Sequence, residues 1–527
     1  MTISPPIAPD PLRDQDEIAS FERLKGQLRE FWRDLKSEPT AAHTSVVVPS
    51  LSVDQEELAK VSGAAYYEER LLFSLIRLRN PEARVIYLSS QPVHPDTIDY
   101  YLQLLIRVPA SHAKRRLLLL SVQDSSPVPL TQKILDRPRV LTRLRGWIGD
   151  RNRAYITCYN STPLERRLAV ELDIPLNGAD PDLLWLGTKS GSRKAFRQAG
   201  VGLPEGFEDL GSRDDVVDAL VELRKKVPAL RKAVVKINEG FSGEGNAIFR
   251  YPDQVSSASV REALLGIECA QGTLTADGYF RKFASMGGVV EELIESPEFR
   301  SPSVQLRVNP DGHVRLVSTH DQVLGSSTGQ VYLGGRFPAD ADYRCLIQDE
   351  ALRIGEVLAG YGVVGRFGID FVAFKDEIES WVSRAVEINL RMGGTTPPFM
   401  ALELLARGEL DEDRGVYIAA AGQEKYYYAT DNLKSPNYRG LLAEDLLDLL
   451  ADYGIRFDPA TGTGVVFYMI GGLSQFGKLG VVSIGNSRAE ADDLYERTVA
   501  ILDQETGGDR NAEHLYPLFD DAPAGLE

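Results

Sequence analysis

Val386-Glu387-Ile388-Asn389-Leu390-Arg391, read beside Asp370 upstream, decides how this chain is interpreted. Successive side chains of a strand point to opposite faces. Glu387, Asn389 and Arg391 therefore share one face, and Ile388 and Leu390 take the other. Val364 to Phe374 is a second strand-like run, and the polar stretch Lys375-Asp376-Glu377-Ile378-Glu379-Ser380 connects the two. Paired as a hairpin, the runs place Asp370 opposite Glu387. Carboxylates opposed across strands repel each other, so the arrangement calls for a cation between them. Carboxylate and amide oxygens suit Mg²⁺, which keeps waters and takes one or two carboxylates plus substrate phosphates. A lone acidic pair near a hairpin is ordinarily a solvated face. The amide, the arginine and Gly393-Gly394 close behind it turn the reading toward a nucleotide-metal site.

The rest of the chain is compatible with such a site. Its 527 residues are too many for one ordinary domain, and about three or four are expected. Hydrophobic residues at 43% and charged residues at 26% are those of a globular protein. The net charge of −17 argues against a general nucleic-acid or acidic-membrane binder. Cys158, Cys269 and Cys345 are far apart and odd in number, so no disulfide framework is read and a cytoplasmic location is expected. The six histidines show no paired spacing for zinc. Met1 to Gln15 lacks the charged start and apolar core of a signal peptide, and no apolar run reaches membrane-spanning length.

Residues 1–40 read as an arm and an amphipathic helix, Ile18 to Leu35. Over 41–182 strands and helices alternate. Val46-Val47-Val48, Arg84 to Leu88, Arg116 to Val122 and Ala154 to Cys158 are the strands; Asp54 to Leu78 and Asp96 to Ile106 are helices. Alternation of this kind predicts a parallel sheet with helices on its faces. A second unit covers 183–410. It holds a helix opening at Lys189, a strand Val234 to Ile237, a glycine-rich loop Asn238 to Asn246, and strands Ala247 to Arg250 and Val289 to Ile294. Strands Ser303 to Val308 and Val314 to Ser318 and a helix Tyr343 to Tyr361 lead into the acidic hairpin. A last unit, 411–527, carries a helix Leu441 to Tyr453, two strands, and a final helix begun by Ser487 with Glu490. Loops Gly325 to Gly335, Gly393 to Phe399 and Asp431 to Arg439 are expected to shape pockets.

Lys236 sits in an apolar strand beside Gly240, Gly243 and Gly245. Glycine lets backbone amides approach phosphates, and lysine supplies a point charge. The loop is not a P-loop, because no Gly-Lys-Ser/Thr follows and a strand succeeds it. The order of parts carries more than any one of them. It runs Lys189, then Lys236 with its glycine loop, then Glu291-Glu292, then Asp370, then Glu387-x-Asn389-x-Arg391.

In that order the chain resembles the ATP-grasp superfamily over residues 183–410. The resemblance implies that Lys189 and Lys236 hold ATP phosphates, that the loop with Ser242, Gly243 and Gly245 covers them, and that Glu291, Glu292, Leu293 and Ile294 form the adenine hinge. It implies that Asp370, Glu387 and Asn389 bind two Mg²⁺, with Mn²⁺ as an alternative, and that Arg391 stabilises the transferred phosphate. The lid would cover about 203–286, the sheet over 41–182 would be the pre-ATP-grasp domain, and 411–527 a small C-terminal α+β domain, all within a mixed α/β fold. Gly365 to Phe371, Asn389 to Pro397 and Phe467-Tyr468-Met469-Ile470-Gly471 resemble peptide ligases of the pheganomycin type.

The implied activity joins a carboxylate to an amine through an acyl phosphate, with ATP consumed and ADP and phosphate released. Small-molecule carboxylates and amines, amino acids or peptides, are the implied partners, and a homodimer is common among relatives. Arg366, on the strand face of Gly368 and Asp370, is read either as an anchor for a substrate carboxylate or acyl phosphate, or as a salt bridge to Asp370. A ribose-binding acid would be Glu295 or Glu298. The rival readings are a biotin-carboxylase-like enzyme or phosphotransferase of the same fold, and a non-catalytic nucleotide-binding protein. His320 is read as structural, and Arg336 and Arg439 as carboxylate binders or partners of surface acids.

Overall fold

The computed structural model describes residues 15–53, 58–59, 61, 63–239, 245–270, 274–325, 331–376 and 378–507. Three sheets organise them. The first is parallel: β1 (His43–Val48), β2 (Ala83–Ser89), β3 (Leu117–Ser121) and β4 (Ala154–Cys158), in the order β3-β2-β1-β4. The predicted alternation is borne out, because each pair joined in this sheet is parallel. The helix Gln15–Ser37 lays Phe21 and Leu24 on the core of this sheet beside Val46, Val48 and Ile156. The helix expected from Asp54 is described from Ala64 to Arg79 and has 3₁₀ geometry.

The second sheet is antiparallel: β5 (Gly206–Leu210), β6 (Lys232–Ile237), β7 (Asn246–Arg250), β8 (Glu268–Cys269) and β9 (Gly288–Glu292), ordered β5-β9-β6-β7-β8. β6 and β7 form the expected hairpin, with Lys236 opposite Asn246. Helices Arg213–Lys226 and Ala276–Met286 complete its apolar core. The loop positions Ser242 and Gly243 lie outside the described residues.

The third sheet holds eleven strands among the described residues. They are β10 (Phe299–Arg300), β11 (Pro302–Val308), β12 (Val314–Gly325), β13 (Val331–Phe337), β14 (Gly365–Lys375), β15 (Trp381–Asn389), β16 (Gly408–Asp411), β17 (Val416–Ala419), β18 (Glu424–Lys434), β19 (Gly464–Tyr468) and β20 (Lys478–Gly485). The path runs β10-β14-β11-β12-β13-β18-β17-β16, with β15 on the other side of β14 and β20 joining β18 to β19. The helix Ala341–Gly360 covers one face, where Tyr343, Ile347 and Ile354 pack with Phe367, Ile369 and Ile388. Period-two alternation then turns Gly368, Asp370 and Glu387 to the opposite face, into a cleft.

The segment Gly393 to Phe399, expected as a loop, runs into a helix, Thr396–Ala406. Asp431 belongs to β18 and not to a loop, and the stretch before Gly335 is β13. No helix among the described residues is long and apolar enough to cross a membrane.

Candidate active site

The acidic hairpin forms as its pattern requires. Gly368 pairs with Asn389, Ile369 with Ile388 and Asp370 with Glu387, and the register then shifts at a bulge before Phe371. Bulges at such places re-aim side chains. Asp370 Oδ1 accepts from Gln322 Nε2 at 2.9 Å, and Oδ2 accepts from Asn389 Nδ2 at 2.8 Å. Asn389 Oδ1 in turn accepts from an Arg391 guanidinium nitrogen at 3.2 Å. Lys189 Nζ forms an ion pair with Glu387. Burial, and then the Glu387 charge, push the Asp370 carboxyl up to about 7, against the pull of Lys189 and Arg391. Two carboxylates and one amide make a hard oxygen donor set. It fits an ion such as Mg²⁺ that completes its shell with water and phosphate. Among the described residues no group of three or more His, Cys, Asp or Glu side chains is arranged to hold a metal ion by itself.

Lys189 opens the helix Lys189–Gln198, and Thr188 Oγ1 caps it by accepting from Gly191 N at 3.0 Å. Lys236 lies buried in β6, with its Nζ 2.5 Å from Glu291 Oε2. The other oxygen of Glu291 meets Arg193 Nη1, also at 2.5 Å, and Arg193 is itself buried, with Glu208 and the Pro204 carbonyl as further partners. Burial alone would push the Glu291 carboxyl up; the Lys236 and Arg193 cations outweigh it and hold the group below its usual value. Glu292 accepts from Glu205 N at 2.9 Å, and Leu293 N donates to the Lys232 carbonyl at 3.3 Å. The Gly245 carbonyl, at the foot of the loop, accepts from Ile237 N at 2.9 Å and Tyr279 Oη at 3.0 Å.

One cavity of about 650 Å³ gathers Lys236, Glu291 to Ile294, Asp370, Glu387, Asn389 and Arg391. Arg366 stands elsewhere: it pairs across the sheet with Arg307, and its ion-pair partner is Glu403 at 3.4 Å, not Asp370. Glu295 lines the cavity and pairs with Lys232 at 2.7 Å, whereas Glu298 pairs with Lys375 at 3.2 Å. His320 is fully buried against Tyr427, and burial pushes its pKa down to about 3. Arg336 pairs with Asp492 at 2.9 Å. The pattern missed Gln322, Arg193, Tyr67, Arg70 and Tyr159. For Arg193 a signal existed, since it lies four residues after Lys189 on one helix face. The others are brought to the cleft by segments distant in sequence.

A family model described as IQCH-like, ATP-grasp matches residues 274–411, and one described as PGM1 C-terminal domain matches residues 445–498. The L-propargylglycine–L-glutamate ligase of Streptantibioticus cattleyicolor is 31% identical over 472 residues, covering 87% of this chain and 94% of that protein. The IQ motif-containing protein H of Danio rerio is 23% identical over 75% of this chain, which spans 42% of that longer protein. Among solved structures, a biotin carboxylase from Campylobacter jejuni superposes with a TM-score of 0.53 at 12% identity, covering 88% of this chain and 92% of that one. The biotin carboxylase domain of the Hydrogenobacter thermophilus 2-oxoglutarate carboxylase gives 0.51 at 13% identity, covering 91% and 99%. At such identities the structures speak for the fold alone. The match to a ligase over 87% of the chain adds the chemistry, and the chain belongs to the ATP-grasp carboxylate-amine ligases.

Proposed function

We propose that the cleft joins the carboxylate of one amino acid or peptide to the amine of another, at the expense of ATP. The observation that carries this reading is the pairing of Asp370 with Glu387 in one cavity with Lys236 and Glu291 to Ile294. The relative's printed name, which specifies two amino acids, supports amino acids as the substrate class here. Glu291 to Ile294 would border the adenine, and Lys189 and Lys236 the phosphates. Asp370, Glu387 and Asn389 would hold Mg²⁺, which supplies charge neutralisation on the phosphate oxygens. Phosphoryl transfer needs little from the protein beyond positioning and electrostatic stabilisation. The substrate carboxylate attacks the γ-phosphate, ADP leaves, and the amine then displaces phosphate from the acyl phosphate.

The chain's own charges have a further part in this. Lys236 rests on Glu291, and Lys189 on Glu387. Arriving phosphates would compete for both lysines, so the site exchanges internal ion pairs for ligand ones. Arg391, whose guanidinium donates to the Asn389 side-chain oxygen and to the Met392 carbonyl, would face the transferred phosphoryl group. An acyl phosphate hydrolyses readily, so closure against water is part of the reaction.

Phosphate release that needs ATP, a carboxylate and an amine together is the test. Lys236→Ala and Glu387→Ala are each expected to abolish it while the circular dichroism spectrum stays native. Near-normal turnover in either variant overturns these assignments. A stable phosphorylated product that needs no amine would favour a phosphotransferase.

A further inference from the structure

Beside Arg391 the cavity is lined by Tyr67 and Arg70 of the segment Ala64–Arg79, by Tyr159 just after β4, and by Asp431 of β18. Met392, directly after Arg391, donates its N–H to the Tyr159 carbonyl at 3.0 Å. Over the Tyr159 ring, at 4.0 Å, lies the guanidinium of Arg70, which also stands 4.9 Å from the Tyr67 ring centre. Arg70 is 6% exposed. Its Nε donates to the Tyr67 carbonyl at 2.6 Å, while Nη2 is buried with no hydrogen-bond partner among the described residues. Asp431 lies where the register of β18 against β20 shifts, between Thr430 and Leu433. Its Oδ1 is likewise buried and unpartnered among the described residues. Both residues line the cavity. The two charges act on the same ring: burial and the Asp431 carboxylate push the Tyr67 phenol up, and Arg70 pulls it down.

A buried guanidinium nitrogen and a buried carboxylate oxygen without partners are costly. In a cavity wall they are what a charged ligand would complete. We propose that Arg70 and Asp431 bind the carboxylate and the ammonium that do not react in amino-acid substrates; the inference rests on the ligase reading given above. An amino acid that donates its carboxylate keeps an ammonium, and one that attacks through its amine keeps a carboxylate. The planar fork of arginine matches a carboxylate, and stacking on two aromatic rings holds it in place. Phosphate groups have Lys189, Lys236 and Arg391 for charge. A fatty acid would leave Asp431 unpaired and a simple alkylamine would leave Arg70 unpaired, so the wall selects against such substrates.

The test begins with phosphate release by the native enzyme from ATP and Mg²⁺ with pairwise mixtures of L-amino acids. For an active pair, each substrate is then replaced by its carboxamide or its N-acetyl derivative. The native enzyme is expected to reject the modified non-reacting groups. Arg70→Gln should raise KM for the amino acid that supplies the amine about tenfold to a hundredfold, leave KM for ATP unchanged, and lose the discrimination between that substrate and its carboxamide. Arg70→Lys should restore part of it. Asp431→Asn should do the same for the ammonium. Affinity for ADP, measured by calorimetry, serves as the folding control.

A raised KM for ATP in place of the amino acid would assign Arg70 to phosphate and overturn the proposal. Unchanged amino-acid KM and unchanged discrimination would do so too, as would loss of ADP binding in both Arg70 variants. If the native enzyme releases no phosphate with any pair, the ligase reading of the site fails as well. That result is separable from variants that fail beside an active native enzyme.

Discussion

Glu291 carries two cations on one buried carboxylate, and this fixes what its loss would do. Removing one member of a buried ion cluster leaves the others uncompensated, at about 3–5 kcal/mol. Glu291→Gln is therefore expected to cost about 3 kcal/mol or more in urea denaturation, whereas Lys236→Met costs less because Arg193 still faces Glu291. Because the Glu291 carboxyl is held below its ordinary 4.5 in the folded protein, the stability it contributes is present above that value and is lost as acid carries the pH through its folded value. The Gln variant should lose less stability over this acid range than the native protein; parallel acid limbs would sink the assignment. Single residues were legible to unequal degrees. Asp370 and Glu387 could be paired on paper because a hairpin is local and strand faces alternate strictly. Lys189 and Lys236 could be picked out by order along the chain. Their partners Glu387 and Glu291, and the amide Gln322 on Asp370, depend on contacts between distant segments, which no local period encodes.

The elements follow the same division. Ala154 to Cys158 is a strand to the residue, because five buried positions between polar neighbours leave little choice. β18 was missed because buried polar residues interrupt its core positions Tyr427, Ala429 and Leu433: Lys425 is 1% exposed and spends its charge on the Gly462 carbonyl at 2.9 Å and Asn486 Oδ1 at 2.5 Å. The helix Thr396–Ala406 was missed because nearly every side is apolar and buried, which erases the amphipathic period. The helix that begins at Lys189 is held by a close approach at Gly191. A Cβ there would lie 1.9 Å from the Trp185 carbonyl oxygen, a backbone atom that cannot turn aside. Gly191→Ala must therefore displace the first turn that presents Lys189 to Glu387. Overpacking of this kind costs about 1–3 kcal/mol. The expected result is a lowered melting temperature together with a raised KM for ATP. An unchanged KM would mean that Lys189 does not depend on this turn for its position, or does not meet ATP.

At the scale of the whole molecule, the strands after residue 410 extend the sheet that carries the acidic hairpin, through the pairing of β13 with β18. The parallel sheet meets this assembly through the segment Ala64–Arg79, which supplies Arg70 to the cavity and Glu69 to a joint with the C-terminal strands. Such long-range continuity is invisible to periodicity, which reports faces and not neighbours. At the joint, Glu69 Oε2 accepts from Gly471 N at 2.9 Å, and a Cβ on Gly471 would come 2.3 Å from the other oxygen, so the fit is tight. Burial, with Glu68 beside it, pushes the Glu69 carboxyl up to about 7. A raised folded value means that the proton is bound more tightly in the folded state. The contribution is complete below the ordinary 4.5 and fades as the pH rises through about 7. Above that the charge sits buried at a cost, up to about 3 kcal/mol for a shift of this size. Glu69→Gln keeps an acceptor for Gly471 and removes the charge. Its gain in stability should be clear at about pH 8 and shrink toward about pH 5.5, where the native carboxyl is already protonated. Chemical denaturation at the two pH values measures the difference. An equal gain at both would assign the effect to packing, and a loss at the higher pH would mean that the ionised carboxylate holds the two parts of the chain together.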